Sequence, residues 1–164
     1  MQRIVVIGCP GSGKSTFSKA LHAASGIPLY HLDMMYWNAD KTTVEKTVFL
    51  ERLSAVLATP AWIIDGNYNS TMKMRFDACD TVFFLDFPLD VCLSGVKERC
   101  GKPRTDMPWF ESFDDTNGEF IDFIKRFESE SKPKIIELLS EISDKNIYVF
   151  KSRLDTEKFI KERF

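Results

Sequence analysis

The chain has 164 residues, of which 44% are hydrophobic and 28% are charged, and its formal net charge is −2. These values are typical of a single globular domain over residues 1–164, and the near-neutral charge disfavours a nucleic-acid-binding protein. No apolar run reaches transmembrane length, no secretory signal precedes the first predicted strand, and the four cysteines form no C-x-x-C pair. We therefore expect a cytoplasmic protein with reduced cysteines, no membrane contact and no zinc knuckle.

The most informative segment is Gly8–Ser15, which reads G-x-x-x-x-G-K-S. An apolar, β-branched stretch at 3–7 precedes it, and a helical pattern with Phe17 and Leu21 on one face follows. A strand before and a helix after are the context in which this motif is a phosphate-binding P-loop, whose backbone N–H groups and helix N-terminus hold phosphates. The predicted nucleotide-binding residues of this loop are Gly8, Pro10, Gly11, Ser12, Gly13, Lys14, Ser15 and Thr16.

Two residues of this motif have specific roles. Lys14 is expected to bind the β- and γ-phosphates and to act in catalysis, and the Ser15 hydroxyl is expected to bind Mg²⁺. Cys9 lies inside the loop. We interpret it as a small residue that fills a tight turn, with an oxidation-sensitive thiol as the less favoured alternative.

The rest of the chain alternates between strand and helix patterns. Thr43 is predicted to cap a helix that Pro60 ends, and a long helix over 118–140 is predicted to bend at Pro133. Further strands are predicted at 28–33, 62–65, 79–86 and 147–150, with helices at 69–76, 88–99 and 154–163 and an irregular segment at 101–117. This order predicts an α/β protein of the three-layer P-loop NTPase fold, with a five-stranded parallel sheet and helices on both faces.

Three carboxylates are predicted at the carboxyl ends of strands, where ligands bind in such sheets. Asp65, followed by Gly66, is favoured as a Mg²⁺ ligand, directly or through water. Asp86 is favoured as a helix cap because Pro88 follows it. Asp33 is a candidate catalytic residue: it either serves a hydroxyl acceptor as base, contacts the metal, or forms a turn.

Several arginines are candidates to stabilise a transferring phosphoryl group. Arg99 ends the helix after strand four and Arg104 lies in the irregular segment. Arg126, on the long helix, is a further candidate, and Arg99 is favoured among them. Arg75, before strand four, is a candidate to hold the acceptor.

The chain resembles the adenylate kinase-like P-loop kinases over nearly its whole length, through Ile63-Ile64-Asp65-Gly66 and through the strand at 80–86 followed by Arg99. It is most similar to the DNA topology modulation proteins, a group related to adenylate kinase, at 31–33, Trp37, 62–68 and 104–108. This resemblance implies an acceptor-binding region near 34–58, a short lid near 100–117, Arg99 at the base or phosphates, and Arg153 beside the adenine.

The predicted function is ATP- and Mg²⁺-dependent transfer of the γ-phosphoryl group to a small acceptor. The acceptor is either a nucleoside monophosphate or another small molecule. AMP is disfavoured because Asn67-Tyr68-Asn69 stands where adenylate kinases have Phe-Pro-Arg. One alternative is a nucleotide-binding regulator with little or no turnover. A factor associated with nucleic acid is a third class, which the mildly acidic charge balance disfavours. The expected partners are a nucleotide and a small-molecule acceptor, and the protein is expected to be a monomer or a dimer.

Overall fold

A central sheet of five parallel strands organises the protein in this computed structural model, which describes residues 1–109 and 118–164. The strands are β1 (Arg3–Gly8), β2 (Leu29–His31), β3 (Trp62–Asp65), β4 (Thr81–Leu85) and β5 (Asn146–Phe150). Their order across the sheet is β2-β3-β1-β4-β5. The predicted α/β fold with a five-stranded parallel sheet is confirmed.

Eight α-helices connect and cover the strands within the described residues. They are α1 (Lys14–Ser25), α2 (Leu32–Tyr36), α3 (Lys46–Leu57), α4 (Asn69–Ala78), α5 (Leu89–Arg99), α6 (Glu119–Arg126), α7 (Lys132–Ser140) and α8 (Arg153–Arg163). A π-helical turn over Phe127–Ser131 joins α6 to α7. Part of the predicted lid at 100–117 lies outside the described residues.

The strands in the middle of the sheet are apolar because both of their faces are buried. β1 lies between β3 and β4, with Ile4 opposite both Ile63 and Thr81, and every residue of β3 and β4 is buried. Strands covered on both faces have near-continuous hydrophobic sequences. Because the strands are parallel, their carboxyl ends meet at one edge of the sheet, where the loops after β1 and β3 lie side by side.

Helix α1 is fixed to the sheet through Phe17. Its ring contacts Phe83 edge-on at a centroid distance of 5.0 Å, and Phe150 at 5.7 Å. The helix ends at Gly26, whose left-handed backbone (φ 72°) forms the predicted C-cap. The P-loop therefore enters a helix that is firmly packed on the sheet.

The segment after β2 differs from its prediction. β2 ends at His31, opposite the last residue of β3, and Leu32 already begins α2. Asp33 is therefore in the first turn of a helix, where a carboxylate interacts favourably with the helix dipole, and not at a strand end. The predicted Thr43 cap is also wrong, because Thr43 forms a β-bridge with Trp37 and α3 begins at Lys46.

The helical region at 118–140 is interrupted where the sequence predicted a bend. The π-helical turn ends immediately before α7, and Pro133 is in the first turn of that helix. Proline has no N–H to donate to the carbonyl four residues earlier, so this position favours a change in helical hydrogen bonding. In the described portions of the chain, no helix has the length and apolar character needed to cross a membrane.

Helix α5 packs directly on the backbone of the P-loop. A Cβ atom on Gly95 would lie 2.1 Å from the carbonyl oxygen of Gly11, and one on Gly11 would lie 1.9 Å from that of Cys92. Gly11 also has φ 84°, in the left-handed region that favours glycine. Both positions require glycine because two backbones are in contact there.

We predict that Gly95→Ala separates α5 from the P-loop. Such overpacking typically costs about 1–3 kcal/mol of stability. Thermal unfolding should therefore show a lower melting temperature than wild type. Ser94→Ala, at the exposed neighbouring position of the same helix, is the matched control and should change little. An unchanged melting temperature for Gly95→Ala would contradict the close packing.

Candidate functional site

The P-loop forms an open anion site at the carboxyl end of β1. Gly13, at φ 90°, precedes α1, and no side chain caps this helix or places an acidic group in its first turn. The free N–H groups and the positive end of the helix dipole therefore face the loop. This is the arrangement that binds a phosphate group.

Lys14 is held by its own loop. Its Nζ donates hydrogen bonds to the carbonyl oxygens of Gly8 (2.9 Å) and Cys9 (3.1 Å). Burial lowers the pKa of Lys14, and the nearby charges of Asp65 and Asp33 oppose that shift by favouring the ammonium form. An anionic ligand would supply the same stabilisation, so the geometry favours phosphate binding at Lys14.

A cavity of about 780 Å³ lies over the P-loop. This volume is within the usual range for cofactor and small-ligand sites. The cavity brings together most of the residues predicted to bind nucleotide: it is lined by Gly11, Ser12, Gly13, Lys14, Ser15, Thr16, Arg99, Arg104 and Arg153. Gly8, Pro10, Asp33 and Asp65 are not among its lining residues.

The three arginines of the cavity come from separate parts of the chain. Arg99, at the end of α5, has its guanidinium carbon 5.9 Å from the centroid of the Phe120 ring. Arg104 forms a two-point ion pair with Asp106 at 3.2 and 2.6 Å. Arg153, at the start of α8, lies 3.6 Å from Glu98. Their positions fit contacts with a bound nucleotide, and their individual roles stay predictions.

Asp65 lies at the end of β3, as predicted, and is only 4% exposed. Its Oδ1 contacts Nδ1 of His31 at 2.8 Å, whereas its buried Oδ2 has no hydrogen-bond partner in the described parts of the chain. A buried carboxylate oxygen without a partner is costly, and a metal-bound water would satisfy it.

The Ser15 hydroxyl and the Asp65 carboxylate suit a magnesium ion that enters the site together with the nucleotide. Within 1–109 and 118–164, no three acidic, histidine or cysteine side chains cluster as in a preformed metal centre. Mg²⁺ in nucleotide sites usually keeps several waters and takes few protein ligands, the rest coming from phosphate oxygens. The Ser15 hydroxyl and Asp65 Oδ2 are the groups here that suit this role.

The loop after β3 is organised by a buried arginine, and this overturns one prediction. Arg75 is fully buried and donates to the carbonyl oxygens of Gly66 (2.8 Å), Tyr68 (3.2 Å), Thr71 (3.3 Å) and also Asn67. Its guanidinium is therefore directed at the backbone of its own loop. Arg75 does not hold an acceptor.

Asn67 connects this loop to the P-loop. Its side-chain amide donates to the Gly8 carbonyl oxygen at 2.9 Å and accepts from the Gly8 N–H at 3.1 Å. Both polar groups of one P-loop residue are thus held by a side chain that is 59 positions away in sequence.

Tyr68 connects the same loop to Asp33. The tyrosine has a left-handed backbone (φ 38°) and its hydroxyl donates to Asp33 Oδ1 at 2.6 Å. Burial, with the charge of Asp65, raises the pKa of Asp33, although the hydrogen bond from Tyr68 and the charges of Lys14 and Arg104 oppose this. A carboxylate with a raised pKa is better matched to proton transfer near neutral pH.

Tyr68, which donates to Asp33, is part of an aromatic cluster. The Tyr36 ring lies 5.0 Å from Tyr68 and 5.3 Å from Phe49, measured between centroids. Trp37 lies edge-on to Trp109, 5.0 Å away, and thereby connects the predicted acceptor region to the described part of the lid.

Two further candidates lie outside this site. Asp86 is not a helix cap, because Pro88 is the N-cap of α5 and the Asp86 carboxylate pairs with Lys132 (2.9 Å) and Lys151. These hydrogen bonds and charges lower the pKa of Asp86 despite its burial. Arg126 forms an exposed helical pair with Glu130 at 3.6 Å, which is typical of a solvated surface residue.

Comparison with known proteins identifies the fold by similarity of structure. No family model and no curated protein matches this sequence. Shikimate kinase from Bacteroides thetaiotaomicron matches with a TM-score of 0.63 and 21% identity over 98% of this chain and 95% of that chain. The chain has the fold of a P-loop kinase. Shikimate kinase from Aquifex aeolicus also matches, with a TM-score of 0.58 and 22% identity over 98% and 92% of the two chains.

The sequence interpretation missed several residues of this candidate site. Asn67, Tyr68 and His31 had no assigned site role, although each lies at or just after the end of a strand, where ligands bind in parallel sheets. Gly95 is an isolated glycine within a helix, which is a signal of close backbone packing. Asp106 lies in the stretch 104–108, which contributes to the family resemblance but had no assigned site role.

We predict that Asn67→Ala weakens nucleotide binding while the protein stays folded. The change removes two hydrogen bonds to Gly8, each worth about 0.5–1.5 kcal/mol, so affinity should fall about 10-fold. Calorimetry with a non-hydrolysable ATP analogue and Mg²⁺ measures this. Asn69→Ala, at an exposed position two residues later, is the control. Equal affinities for both variants would show that the Gly8 contacts do not position the loop.

Proposed function

We propose that this protein is a MgATP-dependent kinase that transfers the γ-phosphoryl group to a hydroxyl group of a small acceptor. The observation that carries the proposal is the position of Asp33, a partly buried carboxylate that accepts a hydrogen bond from Tyr68, has a raised pKa and interacts electrostatically with Lys14 of the P-loop. A phosphate-binding lysine and a carboxylate suited to accept a proton are thus close enough for their charges to interact, which supports in-line transfer to a hydroxyl.

In the proposed reaction each residue has a limited role. Lys14 exchanges its two carbonyl partners for phosphate oxygens, and Arg99 and Arg104 stabilise the charge that spreads over the transferring group. Asp33, oriented by Tyr68, accepts the proton of the attacking hydroxyl. Mg²⁺, held through Ser15 and Asp65, would neutralise phosphate charge when bound. Arg153 would contact the nucleotide from α8.

The charges near Asp33 support a hydroxyl acceptor over a phosphate acceptor. A phosphate acceptor needs arginines, but the Arg75 guanidinium is buried and occupied by carbonyl oxygens. The sequence at 110–117 contains no lysine or arginine. We also propose that the protein is related to the topology modulation group of adenylate kinase-like proteins. AMP is disfavoured as the acceptor.

We also propose a cytoplasmic location. All four cysteines are free thiols and all are buried, which suits a reducing compartment. A nucleotide and a small molecule are the proposed partners, and the proposal requires neither nucleic acid nor a membrane.

The direct test is a coupled kinase assay with a panel of acceptors. The panel contains alcohols, sugar acids and nucleosides, with nucleoside monophosphates as the competing class. We expect a phosphate ester on a hydroxyl, seen by phosphorus NMR, and no turnover with Lys14→Ala. Transfer to the phosphate of a nucleoside monophosphate would contradict the proposed acceptor class. Nucleotide binding without turnover of any acceptor would favour the regulatory alternative.

We predict that Asp33→Asn lowers kcat about 100-fold or more, because a general base contributes about 10²–10⁴-fold. Affinity for an ATP analogue should stay close to wild type. Since the pKa of Asp33 is raised, wild-type activity should fall as the pH decreases through that value, above the usual range for aspartate. The variant should lose this acidic limb. Asp40→Asn, an exposed carboxylate of the next loop, is the control, and a similar loss there would contradict a base role for Asp33.

A further inference from the structure

Asp86 is a buried carboxylate at the end of β4 that the proposed reaction leaves without a role. Its surface is only 9% exposed, and its N–H donates to the carbonyl oxygen of Phe150 at 2.9 Å, beside the end of β5. Lys132 contacts one carboxylate oxygen, Oδ1, at 2.9 Å, and Lys151 contacts the other, Oδ2. A buried carboxylate is costly unless charged groups or hydrogen bonds replace its hydration. The two lysines therefore make a charge tolerable at this position.

The two lysines connect Asp86 to different parts of the fold. Lys132 is the first residue of α7 and also contacts Glu128 of the π-helical turn at 2.7 Å. Lys151 directly follows β5 and lies two positions before the first residue of α8. The side chain of Lys132 is 19% exposed, whereas that of Lys151 is 67% exposed. Because Lys151 is largely in water, its side chain can be changed without opening a cavity in the core.

The turn after β5 is held rigidly at the start of α8. The N–H groups of Lys151 and Ser152 both donate to Asp155 Oδ2, at 3.0 and 2.9 Å, and the Asp155 N–H donates to Ser152 Oγ at 3.2 Å. This is a capping box, which fixes the direction of the chain as it enters a helix. Arg153 is the next residue, so its backbone moves together with that of Lys151.

Arg153 extends from this turn to the cavity over the P-loop. It lines the cavity, and its Nη2 atom would lie 3.3 Å from a Cβ atom on Gly95. Its ion pair with Glu98, at 3.6 Å, joins two side chains that are 50% and 60% exposed, and such pairs contribute little. The position of Arg153 therefore depends mainly on the backbone at the start of α8. Lys151 is not among the described residues that line the cavity.

We propose that Asp86 is a positioning residue for the nucleoside part of the bound nucleotide. By holding the Lys151 side chain, Asp86 attaches the turn after β5 to the end of β4 and so fixes Arg153 in the cavity. The inference rests on the proposed use of ATP and adds to that site a residue that touches neither ligand. The ion pair with Lys132 neutralises the other oxygen of Asp86 and leads away from the cavity, to α7.

The test compares a ligand that carries the nucleoside with one that lacks it. Calorimetry in the presence of Mg²⁺ gives the affinities for a non-hydrolysable ATP analogue and for inorganic tripolyphosphate, and the ratio of the two affinities measures recognition of the nucleoside. Loss of one hydrogen bond from a charged group typically weakens binding about 10-fold. We therefore expect Lys151→Met to lower the ratio about 10-fold through the analogue alone, because the P-loop contacts with tripolyphosphate are unchanged.

Three further variants make the result specific. Asp86→Asn removes the charge that holds Lys151 and should lower the ratio as Lys151→Met does. Lys132→Met breaks the other ion pair of the same carboxylate and should leave the ratio unchanged. Asp144→Ala removes an exposed carboxylate (73% exposed side chain) that pairs with Lys145 just before β5, and it should also leave the ratio unchanged. If Asp86→Asn unfolds, the two lysine variants still decide the result.

A double-mutant cycle tests whether the effect passes through Arg153. Arg153→Met should lower the ratio by itself. In that background, Lys151→Met should cause no further fall, because the side chain that Asp86 positions is already absent. A structural effect that is independent of Arg153 would add to the loss.

The outcomes separate this inference from the proposed function. A wild-type ratio in Lys151→Met would overturn the role of Asp86 while leaving the kinase proposal intact. An equal fall in Lys132→Met, or an undiminished further fall in the Arg153→Met background, would also overturn it. If the wild-type protein binds the analogue no more tightly than tripolyphosphate, or binds neither, ATP is not its ligand. The proposed function then fails, and this inference fails with it.

Discussion

The buried guanidinium of Arg75 is the interaction on which the candidate site depends. A buried charge is tolerated only when hydrogen bonds replace its hydration, and here four backbone carbonyl oxygens do so. The same hydrogen bonds fix the carbonyls of residues 66–68 in a loop that includes Tyr68, whose backbone is left-handed. The direction in which Asn67 and Tyr68 point is a consequence of that loop. Removing the arginine would take away the side-chain donor that the Gly66 and Asn67 carbonyls share.

Two neighbouring side chains of this loop contact the two parts of the proposed site, which are the P-loop and Asp33. Asn67 hydrogen-bonds to the P-loop at Gly8, and Tyr68 hydrogen-bonds to Asp33 on the acceptor side. The separation between the P-loop and Asp33 is thus linked to adjacent residues of one hydrogen-bonded loop. Such preorganisation lowers the entropic cost of bringing two reactants together. Arg75 accordingly acts on the site through backbone geometry and without touching either ligand.

The features that could be predicted from the sequence are those determined locally. The P-loop is a contiguous motif, and its flanking strand and helix follow from apolar patterns on either side. The central strands are apolar throughout because they are buried on both faces. The C-cap at Gly26 follows from the conformational freedom of glycine. These signals do not depend on which distant segment lies alongside.

The features that could not be predicted are pairings between distant segments. Nothing near Asn67 in the sequence indicates that its amide reaches Gly8, and nothing near Asp86 indicates that Lys132 and Lys151 would neutralise it. Asp33 was placed on a strand because three residues of β2 are too few to distinguish a strand end from a helix start. The contact between Trp37 and Trp109 is also of this kind. Because indole emission responds to neighbouring rings and to water, this pair gives the protein an intrinsic optical signal for separation of the loop after α2 from the segment that follows α5.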